Sequence, residues 1–224
     1  MNIALILASG NGARMGLKHP KQFEYINGRP MMFLSVETFQ NNRFIDQIVL
    51  VTNKEYISQV TKWCVEYKYS KVVKVVAGGQ TRRESVENGL NAISAKEDDL
   101  ILIHDSARAL VSDEIITRNI EAGQKYDAIA TIWPTNDTIA VVENDQIINV
   151  PDRSKMFSGQ TPQTFKFGLI KQAHDNCPKD LEITEDSRLV LMMGCPVHCV
   201  LGSNKNFKVT TPEDLELLKI LVKH

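Results

Sequence analysis

The sequence has few cysteines, little net charge and no long apolar run, and each shortage excludes a class of protein. Its 224 residues include only four cysteines, irregularly spaced, and a chain of this length has no need of disulfide crosslinks. Lys and Arg number 26 against 27 Asp and Glu, so the basic field needed for nucleic acid or an anionic membrane is absent. No apolar run approaches the roughly 18 residues of a membrane span. Because the N-terminus also lacks the basic segment of a signal peptide, we expect a cytoplasmic protein.

Apolar runs of strand length alternate with segments of helical periodicity over most of the chain. Segments that are apolar except at one end residue, such as residues 2–8 and 100–104, are typical of strands buried on both faces. Residues 196–201 are interpreted as a further buried strand, while residues 55–68 and 112–126 show the spacing of amphipathic helices. This alternation predicts an α/β fold: a Rossmann-like, mostly parallel sheet with helices on both faces.

The alternation breaks between Pro134 and Phe157. Two β-rich runs, residues 138–143 and 146–150, are separated by Asn144-Asp145, which is a hairpin signature. A hairpin has no place within a parallel sheet, so we expect it to project as an arm. Such an arm usually packs on another surface when both its strands carry apolar residues. Residues 1–224 are therefore predicted to form one domain, with residues 134–158 as an inserted β-arm for dimerisation.

A glycine-rich segment, Ser9–Gly12, follows the first predicted strand. Small residues there let the backbone approach a phosphate and direct several N–H groups at it. Dinucleotide-binding proteins use the same pattern, but the second strand here ends in Thr52–Lys54, without the acidic residue that holds the ribose of a nicotinamide cofactor. Two cations, Arg14 and Lys21, come next. Unless they are ordinary solvated charges, they suit a triphosphate that loses pyrophosphate better than a hydride carrier.

Asp105 directly follows the apolar run 100–104 and is expected at the carboxyl edge of the sheet, where open α/β folds bind ligands. An aspartate there is suited to a Mg²⁺ ion that bridges nucleotide phosphates, because hard cations prefer oxygen ligands. The alternative is that Asp105 caps a helix. We interpret the neighbouring His104 as a packing residue rather than a catalytic one.

Several motifs, taken together, resemble the cytidylyltransferases of sugar-alcohol phosphates, a family whose members act on ribitol 5-phosphate or on 2-C-methyl-D-erythritol 4-phosphate. In chain order the motifs are Ala8–Met15, Pro20–Phe23, His104–Arg108, Pro151–Arg153, Gly159–Phe165 and Phe207–Thr211. They extend over nearly the whole chain. The resemblance implies a nucleotidyltransferase fold, a homodimer, and the condensation of CTP with a sugar-alcohol phosphate in the presence of Mg²⁺.

The resemblance also implies roles for individual residues. The nucleotide would contact Leu7, Ala8, Ser9, Gly10, Gly12, Gly79, Arg82, Ser85, Asp105 and Ser106, with Asp105 also near the metal. The second substrate would contact Arg108, Thr138, Arg153, Thr161 and Thr184. Catalysis would depend on the cations Arg14, Lys21, Arg153 and Lys208. Since Thr138 and Arg153 flank the predicted hairpin, the arm of a dimer would bring them to the neighbouring subunit's site.

The sequence shows no activated serine, cysteine or general base, and the implied reaction needs none. A phosphate monoester is already largely dianionic at neutral pH, since its second pKa is about 6. Its oxygen is therefore a ready nucleophile for the α-phosphorus of CTP. What the step requires is positive charge around two mutually repelling anions.

Three features of the sequence bear on the identity of the second substrate. Asn136–Ile139, Gly159–Phe165 and Ser106 resemble ribitol-phosphate enzymes more than methylerythritol-phosphate enzymes, although Ala109 stands where both groups usually have proline. The sequence therefore favours ribitol 5-phosphate, and CDP-ribitol for teichoic acid or capsule synthesis. The alternative is methylerythritol phosphate of isoprenoid synthesis. A nicotinamide-dependent oxidoreductase and a catalytically silent nucleotide-binding module are the competing classes.

Overall fold

A computed structural model describes residues 1–10, 19–178, 181 and 183–222, where strands and helices alternate for most of the chain. The strands are β1 (Asn2–Ala8), β2 (Tyr25–Ile26), β3 (Arg29–Pro30), β4 (Gln47–Thr52), β5 (Val72–Ala77), β6 (Leu100–Asp105), β7 (Ala128–Pro134), β8 (Val141–Glu143), β9 (Gln146–Asn149), β10 (Phe157–Lys166) and β11 (His198–Leu201). The helices are α1 (Met32–Asn41), α2 (Ile57–Glu66), α3 (Arg82–Ala92), α4 (Asp113–Gly123), α5 (Phe167–Asp175), α6 (Asp186–Met192) and α7 (Pro212–Val222).

Seven strands form the main sheet in the order β11–β7–β10–β6–β1–β4–β5. Neighbouring strands are parallel except at β10, which is antiparallel to both β6 and β7. The predicted mostly parallel sheet is therefore confirmed. Because β1, β4 and β6 run in the same direction, their carboxyl ends meet at one edge, where Ala8 pairs with Thr52 and Leu7 with Asp105.

Helices cover both faces of the sheet, which explains the unbroken apolar run of β1. Successive strand side chains point to opposite faces, so Ile6 packs in one core and Leu5 in the other. Helices α1, α2 and α4 contribute to the first core, and α3, α5 and α6 to the second. No helix in the described ranges combines the length and the apolar character that crossing a lipid bilayer requires.

Strand β10 is the main element that the periodicity of the sequence did not predict. It lies between β6 and β7, yet its central side chains are polar and buried: Gln160, Thr161, Gln163 and Thr164. Each is hydrogen-bonded inside the protein; Thr164, for example, donates to Asn119 Oδ1 at 3.0 Å. Polar residues and a proline at position 162, where the register shifts, hide such a strand from a search for apolar runs.

The predicted hairpin is confirmed, with β8 and β9 forming a separate two-stranded antiparallel sheet. Its turn residues, Asn144 and Asp145, have φ of 47° and 61°, which matches the left-handed geometry of a two-residue hairpin turn. Apolar side chains on both strands are exposed, among them Val142 and Ile147 at 55% and 66%. The arm therefore carries an apolar surface that this chain does not cover.

The structure confirms a strand within residues 196–201, but the interpretation of that strand as buried was wrong. Strand β11 covers only His198–Leu201 and lies at the edge of the sheet, where Cys199 is exposed. Strand β11 pairs only with β7, so no neighbouring strand covers its other side. All four cysteines are free thiols, in agreement with the absence of a disulfide framework.

Candidate active site

A cleft opens at the edge of the sheet where β1 and β6 end. Its walls come from the ends of these strands, the start of α3 and the segments around residues 21 and 208. The lining residues are Leu7, Ala8, Ser9, Gly10, Lys21, Gln22, Gly79, Gln80, Thr81, Arg82, Ser85, Asp105, Ser106, Ala107 and Lys208. This is the edge at which open α/β sheets bind ligands.

Two glycines allow the backbone to pass close to the first turn of α3. A Cβ on Gly79 would lie 2.2 Å from Glu84 Cβ, and one on Gly78 would lie 2.4 Å from Ser9 Cβ. The closeness is maintained by Ser85, whose hydroxyl donates to Thr81 O at 2.9 Å and accepts from Gly79 N at 3.1 Å. Because the hydroxyl proton of Ser85 is used in the bond to Thr81 O, Ser9 is the donor in the 2.9 Å hydrogen bond between Ser9 Oγ and Ser85 Oγ.

The backbone of Asp105 is fixed by a chain of buried hydrogen bonds. Burial lowers the pKa of His104 to about 3, so its ring is neutral. Its Nε2 faces Arg108 O at 3.3 Å and therefore carries the proton, which leaves Nδ1 as an acceptor. Thr161 Oγ1, 3.0 Å from that Nδ1, donates to it and accepts from Asp105 N at 3.1 Å. His104 is thus a packing residue, as interpreted, and one that orients the end of β6.

Two cations hold the carboxylate of Asp105. Lys208 Nζ is 2.6 Å from Oδ2, and Arg82 Nε is 3.3 Å from Oδ1. Burial alone would raise the pKa of Asp105, but Arg82 and Lys208 outweigh it and hold the pKa well below its usual range. The group is therefore an anion at neutral pH, and it keeps two positive side chains at the cleft wall.

The segment before α7 places Lys208 and Lys21 on the same wall. Val209 N donates to Ala107 O at 2.8 Å, which ties this segment to the turn after β6. Lys21 Nζ donates to Val209 O at 2.6 Å. Gln22, next in the chain, donates through Nε2 to Ala8 O at 2.6 Å and ties its turn to the end of β1. Two distant parts of the sequence thus each bring a lysine to the cleft wall beside the end of β1.

Arg82 also has a partner outside the cleft. Its Nη1 lies 2.7 Å from Oδ2 of Asp186, at the start of α6, and the other oxygen of Asp186 lies 3.1 Å from His174 Nε2. Burial alone would lower the pKa of Arg82, but Asp186 and Asp105 outweigh it and raise the pKa further above its usual value. For Asp186, burial alone would raise the pKa, but Arg82 and His174 together outweigh it and lower the pKa.

Two residues predicted to contact the second substrate lie buried behind the cleft. Thr161 supports Asp105, as described above. Arg108 donates from Nη1 to Asn206 O at 3.0 Å and from Nη2 to Gly159 O at 2.9 Å. It thereby connects β10 to the segment that carries Lys208. Neither residue is among those that line the cleft.

The other residues predicted to contact the second substrate lie on exposed parts of the chain. Thr138 and Arg153 stand before and after the hairpin, and Arg153 Nη1 donates to Asn136 O at 3.1 Å, which joins the two ends of the arm. Thr184 is exposed just before α6. None of the three lines the cleft of its own subunit.

The structure therefore brings together every described residue that was predicted to contact the nucleotide, along with Lys21 and Lys208. Arg14 and Gly12 lie outside the described residues. Sequence reasoning did not single out Gln22, Gln80, Thr81 and Ala107, although Gln22 and Ala107 lie within quoted motifs and the other two lie between Gly79 and Arg82. It also missed Asp186, whose one local feature is that it lies two residues after Thr184.

The described residues of the cleft offer a metal ion a single carboxylate, so most of its ligands would have to come from a phosphorylated substrate and water. Within the described part of the chain, no group of three or more His, Cys, Asp and Glu side chains is arranged to hold a metal. Asp105 is the carboxylate in the cleft, and its two oxygens face Arg82 and Lys208. Mg²⁺ often takes one protein carboxylate and completes its shell with phosphate oxygens and water, so Asp105 would be its protein ligand here.

Comparison with known sequences gives one consistent result. The profile of the family described as 2-C-methyl-D-erythritol 4-phosphate cytidylyltransferase matches residues 2–224. A protein of that name from Thermosipho melanesiensis is 42% identical over 223 residues, which cover 98% of this chain and 97% of the relative. Another of the same name, from Clostridium novyi, is 40% identical over 223 residues, covering 96% and 94%.

Comparison with solved structures agrees. The 4-diphosphocytidyl-2C-methyl-D-erythritol synthase of Anaerococcus prevotii superposes with a TM-score of 0.87 at 27% identity, covering 100% of this chain and 96% of that one. The 2-C-methyl-D-erythritol 4-phosphate cytidylyltransferase of Thermus thermophilus gives a TM-score of 0.80 at 28% identity, covering 98% of both chains. The nucleotidyltransferase fold expected from the sequence is thereby confirmed.

Proposed function

The chain belongs to the 2-C-methyl-D-erythritol 4-phosphate cytidylyltransferase family and is thus a nucleotidyltransferase, and we propose that it joins CTP to 2-C-methyl-D-erythritol 4-phosphate. In the proposed reaction a phosphate oxygen of methylerythritol phosphate forms a bond to the α-phosphorus of CTP. The bond between that phosphorus and the oxygen bridging to the β-phosphate breaks. Pyrophosphate leaves with this oxygen, and the CDP-linked alcohol remains.

The observation that carries the proposal is the convergence of Lys21, Arg82 and Lys208 on one glycine-lined cleft. Two anionic substrates repel each other, and the departing pyrophosphate gains charge as it leaves. Fixed cations at the cleft wall offset both effects, and no proton transfer to a protein base is needed. Arg14, from the same glycine-rich motif, is proposed to act with them, as is Arg153 from the arm.

The comparisons support methylerythritol phosphate better than the ribitol 5-phosphate that the sequence motifs favoured. The matching family profile and both curated relatives carry the methylerythritol name. The resemblances of Asn136–Ile139 and Ser106 to ribitol-phosphate enzymes involve few residues, whereas the identity extends over the whole chain. We therefore place the product in isoprenoid synthesis rather than in teichoic acid synthesis.

Mg²⁺ is proposed as the cofactor, with Asp105 as its protein ligand and the phosphates of CTP supplying further oxygens. The ion would neutralise part of the triphosphate charge when bound. Asp105 meanwhile keeps Lys208 and Arg82 at the cleft wall. Lys208 Nζ is the nearer of the two cations, and its side chain is 40% exposed, so it can turn from Asp105 towards an incoming phosphate.

A homodimer is proposed in which each arm completes the neighbour's site. The exposed apolar side chains of β8 and β9 need a cover, and a second copy of the chain would supply one. Thr138 and Arg153 do not line the cleft of their own subunit. Exchange of arms would bring both residues, one of them a cation, towards the second substrate. Residues 134–158 would then be a functional insertion within one domain.

The experiment is a pyrophosphate-release assay with Mg²⁺, CTP and methylerythritol phosphate, in which the CDP-linked product is identified by mass spectrometry. We expect turnover that requires both substrates and the metal. Pyrophosphate release that does not depend on the polyol phosphate would contradict the proposal, as would CTP binding without turnover. Detectable NAD(H) binding at the same cleft would instead favour the oxidoreductase alternative.

A further inference from the structure

Asp186 is the most deeply buried charged group near the cleft and is not one of its lining residues. It begins α6 and is 0% exposed. Its two oxygens are used separately: Oδ2 lies 2.7 Å from Arg82 Nη1, and Oδ1 lies 3.1 Å from His174 Nε2. A buried carboxylate is costly unless it is paired, so the arrangement needs a physical reason.

Arg82 is the link between Asp186 and the cleft. It is the first residue of α3, where Thr81 and Glu84 form a capping box that fixes the helix start. Its side chain reaches Asp105 through Nε and Asp186 through Nη1. Two carboxylates on different elements, one at the end of β6 and one at the start of α6, thus hold the two ends of one guanidinium group.

Asp186 holds Arg82 mainly by electrostatic attraction. Arg82 Nη1 lies 2.7 Å from Asp186 Oδ2, and the negative charge of Asp186 is the largest of the influences that raise the pKa of Arg82. The attraction of Asp186 therefore decides where the terminal nitrogens lie. Without that negative charge, Arg82 would draw more strongly on Asp105, which Lys208 Nζ also approaches at 2.6 Å. Arg82 and Lys208 already share Asp105, one at each oxygen, and the balance between them would then shift towards Arg82.

We infer that Asp186 is a positioning residue for the nucleotide site. Its carboxylate fixes the guanidinium of Arg82 in the cleft wall and leaves Asp105 able to hold Lys208, while His174 fixes Asp186 from the other side. The inference rests on the proposed function, because the affinity of the cleft for a nucleotide is the property that depends on the position of Arg82. The competing explanation is that the Arg82–Asp186 pair only joins α3 to α6.

A double-mutant cycle separates these explanations. CTP dissociation constants are measured by calorimetry for the wild type, Asp186→Asn, Arg82→Gln and the double variant, along with kcat, KM and melting temperature. We expect Asp186→Asn to weaken CTP binding at least tenfold in the wild-type background and less than twofold when residue 82 is glutamine, which lacks the charge that Asp186 attracts. An equal effect in both backgrounds, or no effect in either, would overturn the inference.

His174 gives a second test that does not require Asp186→Asn to fold. His174→Gln retains an N–H donor for Asp186 and should bind CTP within twofold of the wild type. His174→Leu removes the donor and should weaken CTP binding at least threefold. The matched control is Asp175→Asn on the same helix, which breaks an exposed ion pair with Lys171 and should change nothing. Equal CTP affinity of the two His174 variants would contradict the inference.

The same measurements distinguish failure of the inference from failure of the proposed function. Turnover by the wild type with unchanged CTP affinity in Asp186→Asn would overturn the inference alone. CTP binding without turnover by the wild type would overturn the proposed function, and the cycle in dissociation constants would still decide the role of Asp186. A wild-type protein without affinity for CTP would overturn both.

Discussion

Replacement of Thr161 by valine tests whether this residue orients Asp105 or contacts a substrate. The two side chains have nearly the same shape, so the change removes a hydroxyl without opening a cavity. Thr161 is buried, and its hydroxyl accepts from Asp105 N and donates to His104 Nδ1. Valine therefore leaves one buried donor and one buried acceptor without their partner.

The cost follows from those two groups. A buried polar group left without its partner costs about 1–3 kcal/mol, so the free energy of unfolding should fall by at least about 2 kcal/mol. For a domain of this size, 1 kcal/mol corresponds to about 2–4 °C in melting temperature. We therefore expect Thr161→Val to melt at least about 4 °C below the wild type and to have a lower kcat, because the end of β6 shifts.

Urea denaturation and thermal melting measure this loss directly. The control is Thr61→Val on the exposed side of α2, where the hydroxyl donates to Ile57 O and the change should stay within about 0.5 kcal/mol. If Thr161→Val were as stable as this control and raised only the KM for the polyol phosphate, Thr161 would be a substrate contact and our reasoning would be refuted.

Three further predictions concern charge, the arm and the cysteines. Lys208→Gln should lower kcat about 100-fold, equivalent to about 2.7 kcal/mol of lost transition-state stabilisation. Lys219→Gln on α7 should leave kcat unchanged. Similar steady-state rates for the two variants would contradict the role of Lys208. Ile148 lies on the arm and is 53% exposed, so Ile148→Asp should raise the monomer fraction in sedimentation and reduce turnover. Val73→Asp on edge strand β5 should do neither. A fully active wild-type monomer would contradict the arm-exchange proposal. Burial raises the pKa of Cys64 to about 11. At pH 8 an alkylating reagent should therefore modify the exposed Cys199 and leave Cys64 unmodified until the protein unfolds. Peptide mass mapping that finds equal modification of both cysteines would contradict this prediction.

The parallel half of the sheet could be predicted because burial on both faces leaves a simple signature. Strands β1, β4 and β6 are nearly unbroken apolar runs, and the position of Asp105 follows from its place after such a run. Strand β10 carries no such signature, since its buried side chains are satisfied by polar partners that are distant in the sequence. Thr161, for example, is hydrogen-bonded to His104, which lies 57 residues away in the sequence.

The site could be predicted where its residues are close in sequence and not where it depends on distant contacts. The glycine-rich segment, Gly79, Ser85 and Asp105 were found from local patterns and from the resemblance. That Arg82 would pair with Asp186 depends on where α6 packs, and no local pattern records this. For the same reason, the sequence did not indicate that Arg108 connects β10 to the segment carrying Lys208 rather than lining the cleft.

The most direct test of the central claim is a competition between the two candidate substrates. Equal concentrations of methylerythritol phosphate and ribitol 5-phosphate are supplied together with CTP and Mg²⁺, and the ratio of the two CDP-linked products is measured by mass spectrometry at early times. This ratio equals the ratio of the kcat/KM values. We predict that the methylerythritol product exceeds the ribitol product by at least about 100-fold, or about 2.7 kcal/mol in transition-state binding. An excess of CDP-ribitol, or neither product, would contradict the account.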